Sequence, residues 1–511
     1  MDYFKAFKDF VEGENIDKKQ AIFFNGKATT YGEMISEANR ISSALSRLGI
    51  QKGDVVTFYM GNCPEFLSLF LGAAKCGAIA APINILLTEY EIQPQMEKTQ
   101  SKMIFTSPAY LPVVERIGDR LPQLQKIVVT SEKAGEGFLS YRDFLKMGEG
   151  EVPPADLRED DVVLILFTGG TTGAPKAVML THKNLLSVVR GLEGRFGPLG
   201  EMVVLCASPL SHIFGLNTIT FASLFRKSMV VLIEWFQVEE AAQLIERYRI
   251  SNVFGVPTVV RSLVDVAERY DMSCLRLMLA GAAPVPEELY LRVEKAFHGH
   301  LVEGWGLTEG AGCATLTPPG VRKVGSCGIP FDVPGLECAI FDKDGRPLPP
   351  GEVGELVQRG PLNMKGYLGN PEATAEVIRD GWLYTGDLAR MDEDGYIYIV
   401  DRKKDVIIRG GFNVYPAEVE AVLYTFPGVR EAAAFGVSDK RKGETVAVAI
   451  RPKDGSLIRQ EEVIAYCQER MARYKVPKYV KVLPEPLPKT AAGKIMRRVL
   501  KENLEKELDL K

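Results

Sequence analysis

Histidine is scarce in this chain, with four in 511 residues, at 182, 212, 298 and 300, too few and too scattered for a conventional metal centre. The eight cysteines stand singly, and no two have zinc-ligand spacing. A chain of this length needs no disulfide staples, so a reduced, cytoplasmic setting is expected. There is no long unbroken apolar run. The longest tract, 66–87, is interrupted by Lys75, two glycines and Pro82, and reads as a helix followed by a strand rather than a membrane span. The N-terminus lacks the basic-then-apolar order of a signal peptide. Positive charge is not in excess: the net charge of −4 gives no electrostatic footprint for nucleic acid. No internal repeat or low-complexity tract is present.

The length leaves room for about two to four domains. Thr30-Tyr31-Gly32-Glu33 has the form of a capping box, and apolar positions follow at helical spacing up to a stop at Gly49. Strands are expected at 55–60, 102–106, 126–130, 202–207, 252–256 and 275–280, alternating with helices at 65–75, 238–249, 258–270 and from 286. This rhythm predicts an α/β fold of sheets packed with helices. From about Val324 turn signals become frequent, and short runs at 337–341, 354–359 and 396–400 read as hairpins. After the charged run Asp401-Arg402-Lys403-Lys404-Asp405, a compact α+β mixture is expected, with helices at 416–424, 460–474 and after Gly493, and strands at 431–437, 444–452 and 479–483. The boundary is placed at 400–402.

The stretch Thr168-Gly169-Gly170-Thr171-Thr172-Gly173-Ala174-Pro175-Lys176 follows an apolar strand. Glycines let backbone approach phosphate oxygens, bare N–H groups donate to them, threonines add hydroxyls and Lys176 adds a mobile charge. It is not the common P-loop, because Ala174-Pro175 separates the last glycine from the lysine and a strand-like run follows. A Gly/Thr-rich surface turn has the same composition. Two further strands end in small-residue loops, at Gly281-Ala282-Ala283-Pro284 and at Gly304-Trp305-Gly306-Leu307-Thr308-Glu309. Ligands of open α/β sheets collect at such carboxyl ends.

Set side by side, these stretches resemble the adenylate-forming superfamily of acyl-CoA synthetases, luciferases and peptide-synthetase adenylation domains. The 168–176 loop resembles its phosphate loop, and Gly304–Glu309 its aromatic-Gly-x-Thr-Glu motif. Trp382-Leu383-Tyr384-Thr385-Gly386-Asp387 resembles its Gly-Asp motif. Asp401 to Lys404 with the Gly410-Gly411 loop resembles its hinge, and Pro488 to Lys494 its C-terminal lysine motif. The motifs run in family order from 168 to 494. The resemblance implies a large N-terminal AMP-binding domain over 1–400, with mixed sheets and a β-rich subdomain, and a small mobile α+β domain over 401–511.

It also implies the chemistry. A carboxylate attacks the α-phosphate of ATP to give acyl-AMP and pyrophosphate, and a thiol then takes the acyl group as a thioester. Thr168, Gly169, Gly170, Thr171, Thr172, Gly173 and Lys176 would hold the β- and γ-phosphates, and Thr308 the α-phosphate. Glu309 would bind Mg²⁺, with Thr168 as a second ligand. Asp387 would accept from the ribose hydroxyls. Trp305 would stack on adenine, flanked by Gly281, Ala282, Ala283, Glu303, Gly304 and Gly306. Lys494 would bridge the carboxylate and the α-phosphate. Arg402 and Lys404 lie at the hinge, where rotation would exchange Lys494 for Gly410 and Gly411 beside the pantetheine arm of coenzyme A. His212 falls at the acyl-pocket entrance, where it is read equally as a packing residue or a catalytic one. Luciferases carry a lysine where this chain has Ile408.

Pocket walls are expected from 213–221, 252–258 and 281–283, all apolar or small. No cation there suits a second carboxylate, and no acid suits an ammonium group, although Arg226 and Lys227 would change this by pointing inward. A medium- or long-chain fatty acid is therefore favoured, with an aryl acid next. The partners expected are this acid, ATP and coenzyme A, with no nucleic acid and no membrane span; peripheral membrane contact and a homodimer stay open. An enzyme loading a carrier protein is an alternative that needs a separate partner, because the chain ends shortly after Lys494. A nucleotide-binding protein without catalysis is disfavoured by Lys494, Glu309 and Asp387 occurring together. Two departures stand out. Gly169 replaces the family's usual serine, so pyrophosphate is expected to be held more loosely. Ala177 replaces a usual glycine, which stiffens the turn past Lys176.

Overall fold

Alternation along the central strands dictates two buried faces. Val204, Leu279 and Val302 enter one core, while their neighbours Leu205, Met278 and Leu301 enter another. A computed structural model describes every residue except 151, 153, 154, 169–174, 198–201, 282–284, 286, 298, 410, 411, 440, 441, 491–493 and 509–511. Among the described residues the strands form four sheets.

The largest sheet has at its centre the parallel strands Met229–Leu232, Val203–Cys206, Asn252–Gly255, Leu277–Gly281 and His300–Trp305. Its outer face is covered by helices Val238–Tyr248, Pro257–Val266 and Glu287–Phe297, through Ile245, Leu263 and Leu289. A second sheet is built around parallel Val55–Tyr59, Ile79–Pro82, Met103–Thr106 and Lys126–Val129. Its own outer face is covered by Ile92, Met96 and Val114. Between the two sheets lie helices Tyr31–Arg47, Pro64–Cys76 and His182–Phe196, whose Ile41, Phe70 and Leu185 join both sheets in one core. The capping box at Thr30 is formed, with Glu33 N–H donating to Thr30 Oγ1 at 3.2 Å and Thr30 N–H donating to Glu33 at 2.7 Å. The 66–87 tract is helix Pro64–Cys76 then strand Ile79–Pro82. No helix among the described residues is long and apolar enough to cross a membrane.

A third sheet carries Glu337–Phe341, Gly354–Arg359, Trp382–Met391 and Ile397–Arg402, and a fourth carries Val429–Asp439 and Gly443–Pro452 with parallel Tyr479–Val482. The fourth has its own core around Val419, Val448 and Val463. Helix Gln460–Arg470 ends earlier than the expected 474. The residues after it, 471–478, carry Lys475 and the strand-like Val476, and no apolar periodicity continues the helix.

Two features were not foreseen. The N-terminal helix Tyr3–Gly13 leads into strand Gln20–Phe24, which extends the largest sheet by pairing Ile22 with Val230, and Lys27–Thr30 forms the edge beyond it. Tyr3 is fully buried, its N–H donating to His182 Nδ1 at 3.1 Å and its hydroxyl to Asn217 at 2.7 Å. Beside it, Phe214–Phe221 forms a π-helix, a rare winding common at functional sites.

The two large sheets are stitched at the site end by Asn62. Its amide donates to the carbonyls of Ser208 and Ile233, each at 3.0 Å, and its Oδ1 accepts from Leu210 N–H at 2.8 Å. This fixes the loop that leads to His212. Asn62→Ala strands three buried backbone groups, and we expect a loss of about 2–4 kcal/mol in denaturant unfolding. Activity should fall as well, because the His212 loop loses its anchor. An unchanged unfolding midpoint would show the loop is held elsewhere.

Candidate active site

Three parallel strands end side by side, with Gly255 opposite Ala280 and Gly281 opposite Gly304. The steric exclusion of a side chain is sharpest just past these strand ends. A Cβ on Gly306 would lie 1.8 Å from Gly312 O, so the chain can fold back on itself only with glycine at this position. The fold-back is closed by Gly312 N–H donating to Leu307 O at 3.0 Å and Ala314 N–H donating to Trp305 O at 3.0 Å. It presents Thr308 and Glu309 on a single 3₁₀ turn, Thr308–Gly310.

Glu309 is held from both ends. Its carbonyl accepts from Met364 N–H at 2.8 Å, and its Oε1 accepts from the Tyr367 hydroxyl at 3.0 Å. Tyr367 pairs with Val178 on the strand Lys176–Thr181, and the Lys176 ammonium lies 4.9 Å from its ring centroid. Tyr367 therefore ties the Glu309 carboxylate to the base of the hairpin in which Thr168 and Lys176 pair. Its motif-free setting gave no sequence signal. Thr168 and Lys176 are paired across that hairpin, with the Thr168 hydroxyl donating to Lys176 O at 3.5 Å. Gly169, Gly170, Thr171, Thr172 and Gly173 lie outside the described residues, as do Ala282, Ala283, Gly410 and Gly411.

Asp387 lies opposite Arg402 in the third sheet and is buried. Its Oδ1 meets Arg402 Nε at 3.1 Å, and its Oδ2 accepts from Trp305 Nε1 at 2.8 Å. Each oxygen keeps a lone pair for a further donor. The indole edge of Trp305 thus joins the end of the largest sheet to the third sheet.

Lys494 comes from the far end of the chain and reaches the same place. It stands at the end of a tight hairpin in which Lys489 bridges to Ile495. Thr490 N–H donates to Lys494 O at 2.8 Å, and Lys494 N–H donates to Thr490 Oγ1 at 3.2 Å. Lys489 anchors the hairpin to Glu431. Surrounding protein pushes the Lys494 pKa down, the positive charges of Arg402 and Lys404 add to this, and Asp387 and Glu309 oppose it. Desolvation lowers Lys404 as well, reinforced by Arg402 and opposed by Asp405, Asp387 and Glu309. Solvent still reaches both lysines, so they stand in an open cleft and not in the core. Burial lowers His212, and the Lys494 charge adds to the effect. Lys494, Lys404, Arg402, Asp387, Glu309 and His212 thus form one electrostatic cluster drawn from five parts of the sequence.

The acyl side follows from the π-helix. A Cβ on Gly215 would sit 2.3 Å from Pro209 O, so only glycine lets the His212 loop press against this helix. A Cβ on Gly281 would sit 3.6 Å from the Phe214 ring, which places the π-helix against the strand ends. Lys227 turns outward to pair with Glu14, whereas Arg226 turns inward.

Glu303 is a different case. Its carboxylate is buried, accepts from the Tyr290 hydroxyl, and is also met by the backbone N–H groups of Val285 and Gly325. These contacts bind the loop after Gly281 to the strand carrying Trp305. Burial outweighs the hydrogen bonds and pushes its pKa up to about 7.

Residues 9–368 match the family model described as AMP-binding enzyme, and residues 418–494 match that described as AMP-binding enzyme C-terminal domain. A long-chain-fatty-acid–CoA ligase of Bacillus subtilis (strain 168) is 36% identical over 95% of this chain and 91% of its own. A feruloyl-CoA synthase of Amycolatopsis sp is 37% identical over 93% and 94%. The crystal structure of the anthranilate CoA ligase AuaEII in complex with anthranoyl-AMP superposes with a TM-score of 0.92 at 27% identity, covering 100% of this chain and 98% of its own. ATP-bound MatB from Rhodopseudomonas palustris gives 0.89 at 28% identity, over 99% and 100%.

The Glu303 shift has a stability consequence. Its carboxyl is protonated in the fold up to about pH 7 but would ionise near 4.5 when unfolded. The native state therefore holds an extra proton between these values, and this contribution is lost as pH rises through them, by on the order of 3 kcal/mol. Glu303→Gln should flatten the pH dependence of the denaturant midpoint between pH 5 and 8. A variant whose midpoint still tracks the native profile would remove Glu303 as the source.

Proposed function

We propose, since the chain belongs to the AMP-binding enzyme family, that it is an AMP-forming ligase joining an apolar carboxylic acid to coenzyme A. The observation that carries this reading is the convergence of Lys494 with Asp387, Glu309, Arg402 and Lys404. In the first step a carboxylate oxygen attacks the α-phosphorus of ATP, the bond to the β-phosphate oxygen breaks, and pyrophosphate leaves. Two anions must meet, so catalysis consists largely of positioning and charge neutralisation. Lys494 stands where it can touch both anions, Asp387 receives the ribose hydroxyls, Thr308 meets the α-phosphate, and Lys176 supports the leaving pyrophosphate.

Among the described residues no three carboxylate, histidine or cysteine side chains gather as a metal cage. Magnesium usually takes one or two carboxylates beside phosphate oxygens and water, and Glu309, steadied by Tyr367, suits that mode. Bound there, with Thr168 alongside, the ion would supply charge neutralisation to the phosphates.

In the second step the thiolate of coenzyme A attacks the acyl carbonyl and AMP departs. Lys494 has no part in this step and must leave to admit the thiol. We assign residues 1–400 and 401–511 to two domains that turn about Asp401–Lys404. Asp401 supports this assignment: it belongs to the third sheet yet accepts from Ala417 N–H at 2.9 Å, at the start of helix Pro416–Tyr424. Arg261 also faces the Tyr424 ring across the two parts, at 5.7 Å. For the acid, the apolar walls favour a medium- or long-chain fatty acid, and an aryl acid is the second reading, since apolar walls suit both.

A panel of carboxylic acids assayed for pyrophosphate release should show CoA-dependent turnover; release indifferent to coenzyme A would point to carrier loading. Lys494→Ala should cut acyl-AMP formation by at least about 100-fold and spare thioester formation from supplied acyl-AMP. Equal loss of both half-reactions would sink the division of labour.

A further inference from the structure

Helix Pro416–Tyr424 has no cap of its own. Its N-cap residue is Tyr415, which makes no side-chain bond to the first turn, where an aspartate, asparagine, serine or threonine would. Pro416 carries no N–H to satisfy, and Glu418 N–H donates to Tyr415 O at 3.1 Å. Ala417 N–H is met from outside the helix, by Asp401 Oδ2 at 2.9 Å. Asp401 is buried, and its other oxygen accepts from Arg402 N–H at 2.7 Å. Its backbone stands in the third sheet, opposite Leu388. A residue on one side of the charged run thus caps a helix on the other. The carboxylate also meets the positive end of the helix dipole, and the Arg497 charge favours its ionised form.

The capped helix is linked to Lys494. Glu420, one turn beyond Ala417, takes Arg497 Nη2 on both oxygens, at 2.8 and 2.9 Å. Such a two-oxygen, charge-assisted pair holds position as well as charge. Arg497 opens the last helix, Arg497–Glu507, directly after the Lys494 hairpin, which Met496 N–H closes by donating to Pro488 O at 2.8 Å. Arg497 also reaches Asp405 Oδ2 at 3.4 Å, just past the hinge. The seating of helix Pro416–Tyr424 on Asp401 is therefore passed through one ion pair to the hairpin that carries the lysine.

Resting on the two-step, two-domain ligase reading above, we infer that Asp401 is a positioning residue that holds Lys494 in the cleft for acyl-AMP formation. A turn within 402–404 carries Ala417 away from the third sheet, so the cap exists in one domain position only. In that position it satisfies a helix-end donor and gives the carboxylate its second bond. In any other, both groups must find water. Capping of this kind moves an equilibrium by about 2- to 30-fold. That is enough to favour the seated lysine and small enough to release it for the second step.

The test measures the two half-reactions separately. Asp401→Ala should slow acyl-AMP formation by about 2- to 30-fold and leave thioester formation from supplied acyl-AMP unchanged or faster. Asp401→Asn keeps an acceptor for Ala417 N–H and should restore most of the first rate. Tyr415→Asp gives the helix a cap on its own side of the hinge. It should shift the ratio of the half-reactions the same way as Asp401→Ala, and it keeps the test intact should that variant fail to fold. Equal slowing of both half-reactions by Asp401→Ala would overturn the inference and mark a purely structural role. An Asp401→Asn enzyme as slow as Asp401→Ala would overturn it too, as would an unchanged ratio in Tyr415→Asp. Absence of turnover with every acid would instead overturn the ligase reading. A dye pair with one member on each side of the hinge would then decide the role of Asp401: Asp401→Ala should broaden the distance distribution, and an unchanged distribution would refute it.

Discussion

The site depends on one buried carboxylate. Asp387 is buried, and burying an unpaired charge costs several kcal/mol. Arg402 neutralises it from across the strand pair and Trp305 donates to it from the end of the largest sheet. The Trp305 contact also docks the third sheet against the strand ends, while the Arg402 pair lies within the third sheet. Together they hold both carboxylate oxygens in fixed positions. Arg402 is also the last residue of its strand, and its charge acts on Lys404 and Lys494. The Asp387–Arg402 pair is therefore electrostatically linked to the C-terminal part.

Around this carboxylate, cations outnumber anions. Desolvation makes the Lys494 and Lys404 ammonium groups easier to deprotonate than free lysine, the positive charges of their neighbours add to this, and Asp387 and Glu309 oppose it. On the ligase reading proposed above, a bound polyphosphate would turn this repulsion into attraction and favour seating Lys494 in the cleft, and departure of pyrophosphate would remove that attraction. Domain position and the chemical step would thereby be coupled through charge.

Much of this was legible in the residues. The strands around 55, 103, 203, 252 and 277 could be read because buried parallel strands are short apolar runs between turn signals. The motif residues could be read because the glycine at 306 has a steric purpose that no other residue serves. What escaped reading depends on distance in sequence. Tyr367 reaches Glu309 only because a two-residue strand adds to the edge at Val178. Asn62 matters because it bridges loops 146 and 171 residues away. The N-terminal helix buries Tyr3 against His182, a partner 179 residues distant. Glu303 adjoins the nucleotide motif, yet its carboxylate is engaged with Tyr290, a pairing set by the packing of helix against strand.

Acid selection was the least legible part, for a physical reason. An apolar wall is specified by composition, so the ranges 213–221 and 252–258 could be recognised, but the polar end of such a wall can come from outside them. Arg226 follows the π-helix and looks, by position, like a surface residue beside Lys227. Its neighbour does turn outward, to Glu14, while the free carbonyls at the end of helix His182–Phe196 draw the guanidinium inward. A helix C-terminus thus holds a half-buried cation whose bonds are to main-chain carbonyls. Capping uses the terminal nitrogens and leaves Nε buried without a partner, because the planar fork of arginine separates its donors in space.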